Sequence, residues 1–450
     1  MAVYGGLQES VAVLVNAALI VYLALFPALF AAIVARIVRT HGRFGLIAVP
    51  FVWIATELGR THLLTGFPWV LLGYSQTTVL PIAQLASVVG VYGVSGLVAA
   101  MSAAVAIAAA DFLPPDLTAR RTAVGAMATR SVQARFALVA AMLAVVLIVA
   151  AWGSRRIAAS ELTRSGQPIR VGLVQGNVDQ GEKWDPARAA GIFQDYLRMT
   201  RQAIREGAEL VLWPESSIPF RYEEDAAGAE QLRTLIRQAR VPILFGSDQI
   251  EHGPQVRLYN SAFVVRPDGT TAGIYRKMHL VPFGEYVPLQ RLLWFAAPLT
   301  EQVGIFSPGV HPELLPVDGH RVSVAICYEV VYPALVRQFV AAGSELLTTI
   351  TNDAWFGTTS APYQHFEQAA MRAIEEGRYL VRAANTGISG IVDPYGRVLA
   401  KTSVFEPAVT VGDARFLQAS TLYARYGDVL AYASVAVTLA LLVAPRRRVQ

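Results

Sequence analysis

The run Val322-Ser323-Val324-Ala325-Ile326-Cys327-Tyr328-Glu329 is where fold and chemistry meet in this chain. Small and β-branched apolar residues stop abruptly at polar ones, the pattern of a buried strand that delivers side chains at its end. Cys327 is the only cysteine among 450 residues, which excludes an intrachain disulfide and leaves a thiol nucleophile as its special use. A free thiol at neutral pH is mostly protonated, so that use requires a base or a nearby positive charge. A place between a strand end and the following helical pattern lies near partly positive backbone N–H groups, which predicts a lowered thiol pKa and a site for a tetrahedral oxyanion. The alternative reading is a buried, inert cysteine.

Working outward, short apolar runs alternate with helical patterns from Ile169 onward. Strands are expected at 169–175, 209–213, 242–247, 259–266, 271–276, 321–326, 345–351, 379–384 and 388–393, and helices at 186–206, 227–239, 330–342 and 362–377. This is an α/β pattern without a detectable internal repeat, in which helices cover the outer faces of sheets.

Two further polar motifs follow strand-like runs. In Leu210-Val211-Leu212-Trp213-Pro214-Glu215-Ser216 the apolar residues stop at a carboxylate, and Pro214 restrains the backbone beside it. A solvated strand-end glutamate is the alternative. In Tyr275-Arg276-Lys277-Met278-His279-Leu280-Val281-Pro282-Phe283-Gly284-Glu285 the lysine stands out, because only Lys183, Lys277 and Lys401 occur within a Lys plus Arg total of 38. A compact ammonium beside Arg276 points to a role that a guanidinium does not fill, such as stabilising an oxyanion, with chance retention as the alternative.

The bulk composition places part of the chain in lipid. It is 54% hydrophobic and 16% charged, with a mean hydropathy of +0.41, too apolar for an ordinary soluble protein. Spanning segments are expected at 11–36, 44–58, 81–110, 136–153 and 427–445, the second being the weakest. The net charge of +5 arises from Arg clusters beside these segments, so it sets membrane topology and gives no case for nucleic acid. Threading five spans under the positive-inside rule puts the Arg clusters in the cytoplasm and residues 154–426, with the apolar loop 59–80, on the outer side. Within that loop Trp69 suits the interface; Arg60 and His62 either meet a lipid phosphate or snorkel. The expected domains are a helical membrane domain at 1–153, a catalytic α/β domain at 154–424, and a final span with a basic tail at 425–450.

Glu215, Lys277 and Cys327, in that order and in those contexts, resemble the Glu-Lys-Cys triad of the nitrilase superfamily. Together with the flanking spans and with Gly66-Phe67-Pro68-Trp69, Val281-Pro282-Phe283-Gly284-Glu285 and Asn352-Asp353-Ala354-Trp355-Phe356-Gly357, the chain resembles the membrane-bound branch of that superfamily, the apolipoprotein N-acyltransferases, over nearly its whole length. The resemblance implies a four-layered αββα sandwich facing the periplasm, in a protein of the bacterial inner membrane. It implies Glu215 as general base, Lys277 as oxyanion stabiliser and Cys327 as nucleophile. Glu285 becomes a second carboxylate near the triad, Tyr328 and Glu329 support the nucleophile, Trp184 gates the substrate, and the stretch Leu289 to Phe306 is a mobile arm for an acyl chain or, alternatively, a core helix with a loop. Family members have eight spans, and the chain is expected to begin at the fourth.

The implied reaction moves an acyl chain from a phospholipid, through a Cys327 thioester, to the α-amino group of a diacylglyceryl-cysteine in an apolipoprotein. The alternatives are a membrane-anchored carbon-nitrogen hydrolase with the same triad, and a lipoprotein-binding membrane protein with a vestigial one. No cofactor or metal is expected, since the 7 histidines show no ligand spacing with cysteine or carboxylate.

Overall fold

The computed structural model describes residues 8–109, 132–286 and 305–444. They divide into two compact units, a helical one formed by Ala18–Ala159 with the residues from Tyr426 onward, and a sheet-containing one whose body is Ser160–Arg425.

Among the described residues three helices are long and apolar enough to cross a membrane: α1 (Glu9–His41), α4 (Ala86–Ala109) and α5 (Val132–Ala159). The expected second segment is the 14-residue helix α2 (Val49–His62), about 21 Å long, with Pro50 in its first turn where a missing N–H costs nothing. The expected last segment is a 15-residue apolar helix (Val429–Val443). Both fall short of the roughly 30 Å hydrocarbon thickness. The long segment expected at 81–110 is two pieces, α3 (Leu80–Ala83) and α4, and α4 itself bends at Gly90, whose φ of 68° is left-handed. The loop 63–76 is held to α2: Glu57 Oε1 accepts the Leu72 N–H at 2.7 Å, and Arg60 donates to the Val70 carbonyl at 3.3 Å.

The second unit contains two six-stranded sheets. In the first, β1 (Gln167–Gln175), β2 (Leu210–Leu212) and β3 (Ile243–Glu251) run parallel, and β4 (Arg257–Val265) and β5 (Thr271–Arg276) follow as antiparallel hairpins. In the second, β7 (His320–Ile326), β8 (Leu346–Thr351) and β9 (Leu380–Ala384) are the parallel strands. They are flanked by β6 (Leu315–Val317) on one side and by β10 (Gly390–Val392) and β11 (Val398–Lys401) on the other. The closing strand β12 (Ala408–Phe416) pairs antiparallel with β1 over nine residues. Strands β6, β11 and β12 were not expected: the first two are short, and Gly412-Asp413 interrupts the apolar pattern of β12.

Helices α6 (Pro186–Arg205) and α7 (Ala226–Ala239) pack on the first sheet, α8 (Pro333–Ala341) and α9 (Ala361–Glu376) on the second, completing the expected αββα sandwich. Asp185 and Asp225 cap α6 and α7 by accepting backbone N–H groups of their first turns. Between the first sheet and its helices lies a core centred on Trp213, fully buried between Tyr196 and Phe245, with its indole N–H donated to Thr200 Oγ1 at 2.8 Å. Truncating such an anchor costs about 3–5 kcal/mol. It fixes the end of β2, immediately before Pro214 and Glu215.

Candidate active site

The polar motifs leave from the carboxyl ends of β2, β5, β7 and β8, where open α/β sheets place their ligands. After β2 the chain turns at Ser216, whose φ is 43°, against Gly246 on β3. A Cβ there would lie 2.5 Å from Ser216 N and 2.8 Å from Glu215 Cα, so only glycine admits the turn. After β5, Lys277 N–H donates to the Asn260 carbonyl at 2.9 Å. After β7, Cys327 itself has φ 53° and opens a short 3-10 turn, Cys327–Val331. A left-handed φ at a side-chain-bearing residue costs of order 1 kcal/mol and persists only where its surroundings hold it.

The structure brings Glu215, Lys277 and Glu285 into one buried constellation. Lys277 Nζ lies 2.9 Å from Glu285 Oε1 and 3.3 Å from Glu215 Oε1. Asn260 Nδ2 donates to both of those oxygens at 2.8 Å. The outer oxygens take backbone donors: Asn352 N–H on Glu215 Oε2 at 2.9 Å, and Val281 N–H on Glu285 Oε2 at 2.7 Å. Sequence reading missed Asn260; its signal is the polar pair Asn260-Ser261 between the apolar residues of β4.

Electrostatics set the resting charges. Burial alone pushes the Glu215 carboxyl up, but Lys277, Asn260, Lys183 and the Asn352 N–H outweigh it and hold the group below the ordinary glutamate range. Burial pulls the Lys277 ammonium down, and Glu285 and Glu215 more than reverse it, so the lysine stays charged well past its usual range. Cys327 departs from expectation. Burial first, then the negative charges of Glu215 and Asp353, push its thiol well above the usual range, although Lys277 and the Thr351 hydroxyl work the other way. The expected acidification is not found, and the resting group is a neutral thiol near an ionised carboxylate.

Glu329 is fully buried and joins the Lys277 and Cys327 segments. Its Oε1 accepts from Tyr275 Oη at 2.7 Å, Met278 N at 2.7 Å and His279 N at 3.0 Å, and its Oε2 from Ile326 N at 2.7 Å. Burial pushes this carboxyl up to about 7 against those donors. Tyr328 is buried and packs edge-on against Tyr332, with ring centroids 5.2 Å apart. Trp184 is 49% exposed on the loop before α6. That loop is tied down by Gln180, which accepts from Asn352 Nδ2 at 2.6 Å, and by Lys183, whose buried Nζ donates to the Glu215 carbonyl at 3.1 Å. Burial lowers the Lys183 amine to about 8 against the charges of Glu215 and Asp248. Sequence reading passed over Lys183, whose scarcity was the available signal. Of the expected acyl-chain arm, residues 289–304 lie outside the described residues; its end, Phe306, donates its N–H to the Glu285 carbonyl at 2.9 Å.

The chain matches the family model for carbon-nitrogen hydrolases over residues 170–419, and that for the apolipoprotein N-acyltransferase N-terminal domain over residues 1–104. It is 40% identical to an apolipoprotein N-acyltransferase of Geobacter metallireducens, across 96% of this chain and 80% of that one. It belongs to the apolipoprotein N-acyltransferase family. A second relative of that name, from Methylococcus capsulatus, is 37% identical across 99% of this chain and 83% of its own length. An amidase from Nesterenkonia sp. aligns structurally with 56% of this chain and 93% of its own, at 23% identity and a TM-score of 0.43. With its apolar helices, this member of the N-acyltransferase family is a membrane protein.

Proposed function

We propose that the protein transfers an acyl chain from a phospholipid to the α-amino group of the diacylglyceryl-cysteine that begins an apolipoprotein, with Cys327 as the carrier. The observation that carries this reading is the buried set Glu215–Lys277–Glu285 beside the Cys327 turn, in a chain of this family. The hydrolase and vestigial alternatives find no support in the names of its relatives.

In the first step Cys327 Sγ attacks an ester carbonyl of the phospholipid, and its proton passes to Glu215 as the S–C bond forms. The resting thiol is neutral, so the attack requires Glu215 to take its proton. The carbonyl electrons move onto oxygen, where Lys277, kept cationic by two carboxylates, meets the developing charge. The intermediate collapses, the C–O bond breaks, and the lysophospholipid oxygen leaves with the proton held by Glu215. In the second step the lipoprotein amine attacks the thioester, its proton passes through Glu215 to the departing sulfur, and an amide and a free thiol result. Glu285 keeps Lys277 charged and placed, Tyr328 and Glu329 support the turn that presents the thiol, and Trp184 gates the entrance. Both substrates are lipid-anchored, which accounts for a membrane unit; the assigned location is the bacterial inner membrane with residues 154–424 on the periplasmic side.

Incubating the purified protein with labelled phosphatidylethanolamine is expected to yield a hydroxylamine-sensitive acyl adduct that is absent from Cys327→Ala. No adduct on the wild type overturns the proposal, and discharge by water as fast as by a diacylglyceryl peptide replaces it with hydrolysis. A periplasmic reporter fused after Arg155 is expected to be active; a silent one reverses the orientation.

A further inference from the structure

A fully buried histidine on helix α9 reaches the backbone of Cys327. His365 Nε2 lies 3.1 Å from the Cys327 carbonyl oxygen. A carbonyl only accepts, so Nε2 carries a proton. On the other side of the ring, Arg382 Nη2 is 3.0 Å from His365 Nδ1 and 2.9 Å from Asp353 Oδ2, while Asp353 Oδ1 lies 2.9 Å from the same Nδ1 and accepts from Thr351 Oγ1 at 3.0 Å. His365, Asp353 and Arg382 are all 0% exposed. Arg382 and Asp353 both bear on Nδ1, so the ring is fixed in orientation with Nε2 aimed at the carbonyl. The seat for Asp353 is narrow, because a Cβ on Gly387 would lie 2.1 Å from Asp353 Oδ2.

The cluster explains how Cys327 keeps a left-handed φ of 53°. The peptide group before the turn is held by Glu329 through the Ile326 N–H at 2.7 Å, and the carbonyl after it by His365. A conformation that costs free energy relaxes when one of its restraints goes, and the side chain it aims then moves with it. We infer that His365 is a positioning residue for acyl transfer: with Arg382 and Asp353 fixing its ring, it clamps the Cys327 carbonyl and so aims the thiol at the ester. The inference rests on Cys327 being the nucleophile. It does not require His365 to touch substrate.

The test measures single-turnover acylation by labelled phosphatidylethanolamine in the full-length protein, with the donor concentration at half-saturation determined alongside. His365→Gln carries an amide nitrogen close to where Nε2 lies; His365→Asn ends where Nδ1 lies and falls short of the carbonyl; His365→Phe keeps the ring and loses the donor. The expected result is acylation about 30-fold slower or worse in the Asn and Phe variants, within about 5-fold of wild type in the Gln variant, and a donor half-saturation unchanged in all three. Where the Phe variant is not recovered folded, the Asn and Gln pair decides. Wild-type rates in the Asn variant, or a Gln variant as slow as the Asn variant, overturn the clamp while leaving the thioester reading intact. A wild type that forms no adduct overturns both.

Discussion

Lys277 Nζ stands 2.9 Å from Glu285 Oε1, closer than its 3.3 Å approach to Glu215, in an interior where the lysine side chain is 1% exposed and each carboxylate 9%. The ammonium is therefore shared, and Glu285 carries the larger part of the pairing. Two carboxylates around one lysine leave Glu215 ionised yet not fully neutralised, as a proton acceptor requires.

Glu285→Gln keeps a hydrogen-bond acceptor for Lys277 and removes a charge. Its acylation rate is expected to fall about 10- to 100-fold while the thermal midpoint moves little, because the remaining pair with Glu215 still compensates the buried ammonium. Single-turnover labelling and a thermal melt in detergent check the two parts.

Glu215→Gln is expected to abolish transfer and to make Cys327 easier to alkylate. The Glu215 charge raises the thiol pKa, so its removal increases the thiolate fraction at a given alkaline pH, and the iodoacetamide rate at pH 8.5 is expected to rise about 3- to 10-fold. A rate that falls or stays level counts against the electrostatic role assigned to Glu215.

Asn260→Asp replaces a donor shared by two carboxylates with a third carboxylate. The like charges favour protonation of one of the three groups, and acylation is expected to drop by about two orders of magnitude or more. The acid limb of the rate profile, which in the wild type lies below the ordinary glutamate range because Glu215 is held ionised, is expected to move to higher pH. A pH series of single-turnover rates reads both effects.

Asp353 supplies an acid-sensitive part of the stability. Burial alone pushes its carboxyl up, but Arg382, His365 and Thr351 bring it from 3.8 to about 2 in the folded chain. The folded state then binds fewer protons than the unfolded one between those values. The contribution, about 2 kcal/mol, is fully present above the unfolded value near pH 4 and is lost as pH falls through about 2. Denaturant unfolding at pH 4 and at pH 2 is expected to show this loss in the wild type and not in Asp353→Asn.

Local pattern was enough for most of the second unit. The strands that precede Glu215, Lys277 and Cys327 occur where apolar runs end in the sequence: Leu210–Leu212 within the expected 209–213, Thr271–Arg276 at the expected 271–276, and His320–Ile326 against the expected 321–326. The runs of β2 and β7 are legible because the buried part of such a strand is mostly apolar at successive positions, whatever it packs against. Strand β12 was not legible, because it closes the sheet at an edge and tolerates Gly412-Asp413 in its middle. In the helical unit, composition marked the apolar segments but not where α3 and α4 part or where α4 bends, since the left-handed turn at Gly90 follows from packing and not from apolarity.

The sequence by itself determined the α/β alternation, the apolar helices, and the placing of a carboxylate, an ammonium and a thiol at three strand ends, because each depends on residues that are neighbours along the chain. Only the tertiary structure decided their charge states and restraints. The thiol expected to be acidified at a strand-to-helix junction is instead pushed up, since its burial and the charges of Glu215 and Asp353 arrive from distant segments. Asn260 reaches Glu215 across 45 positions and His365 reaches Cys327 across 38. Coulomb and desolvation energies depend on distance in space and exclusion of water, and neither is written in the order of the residues.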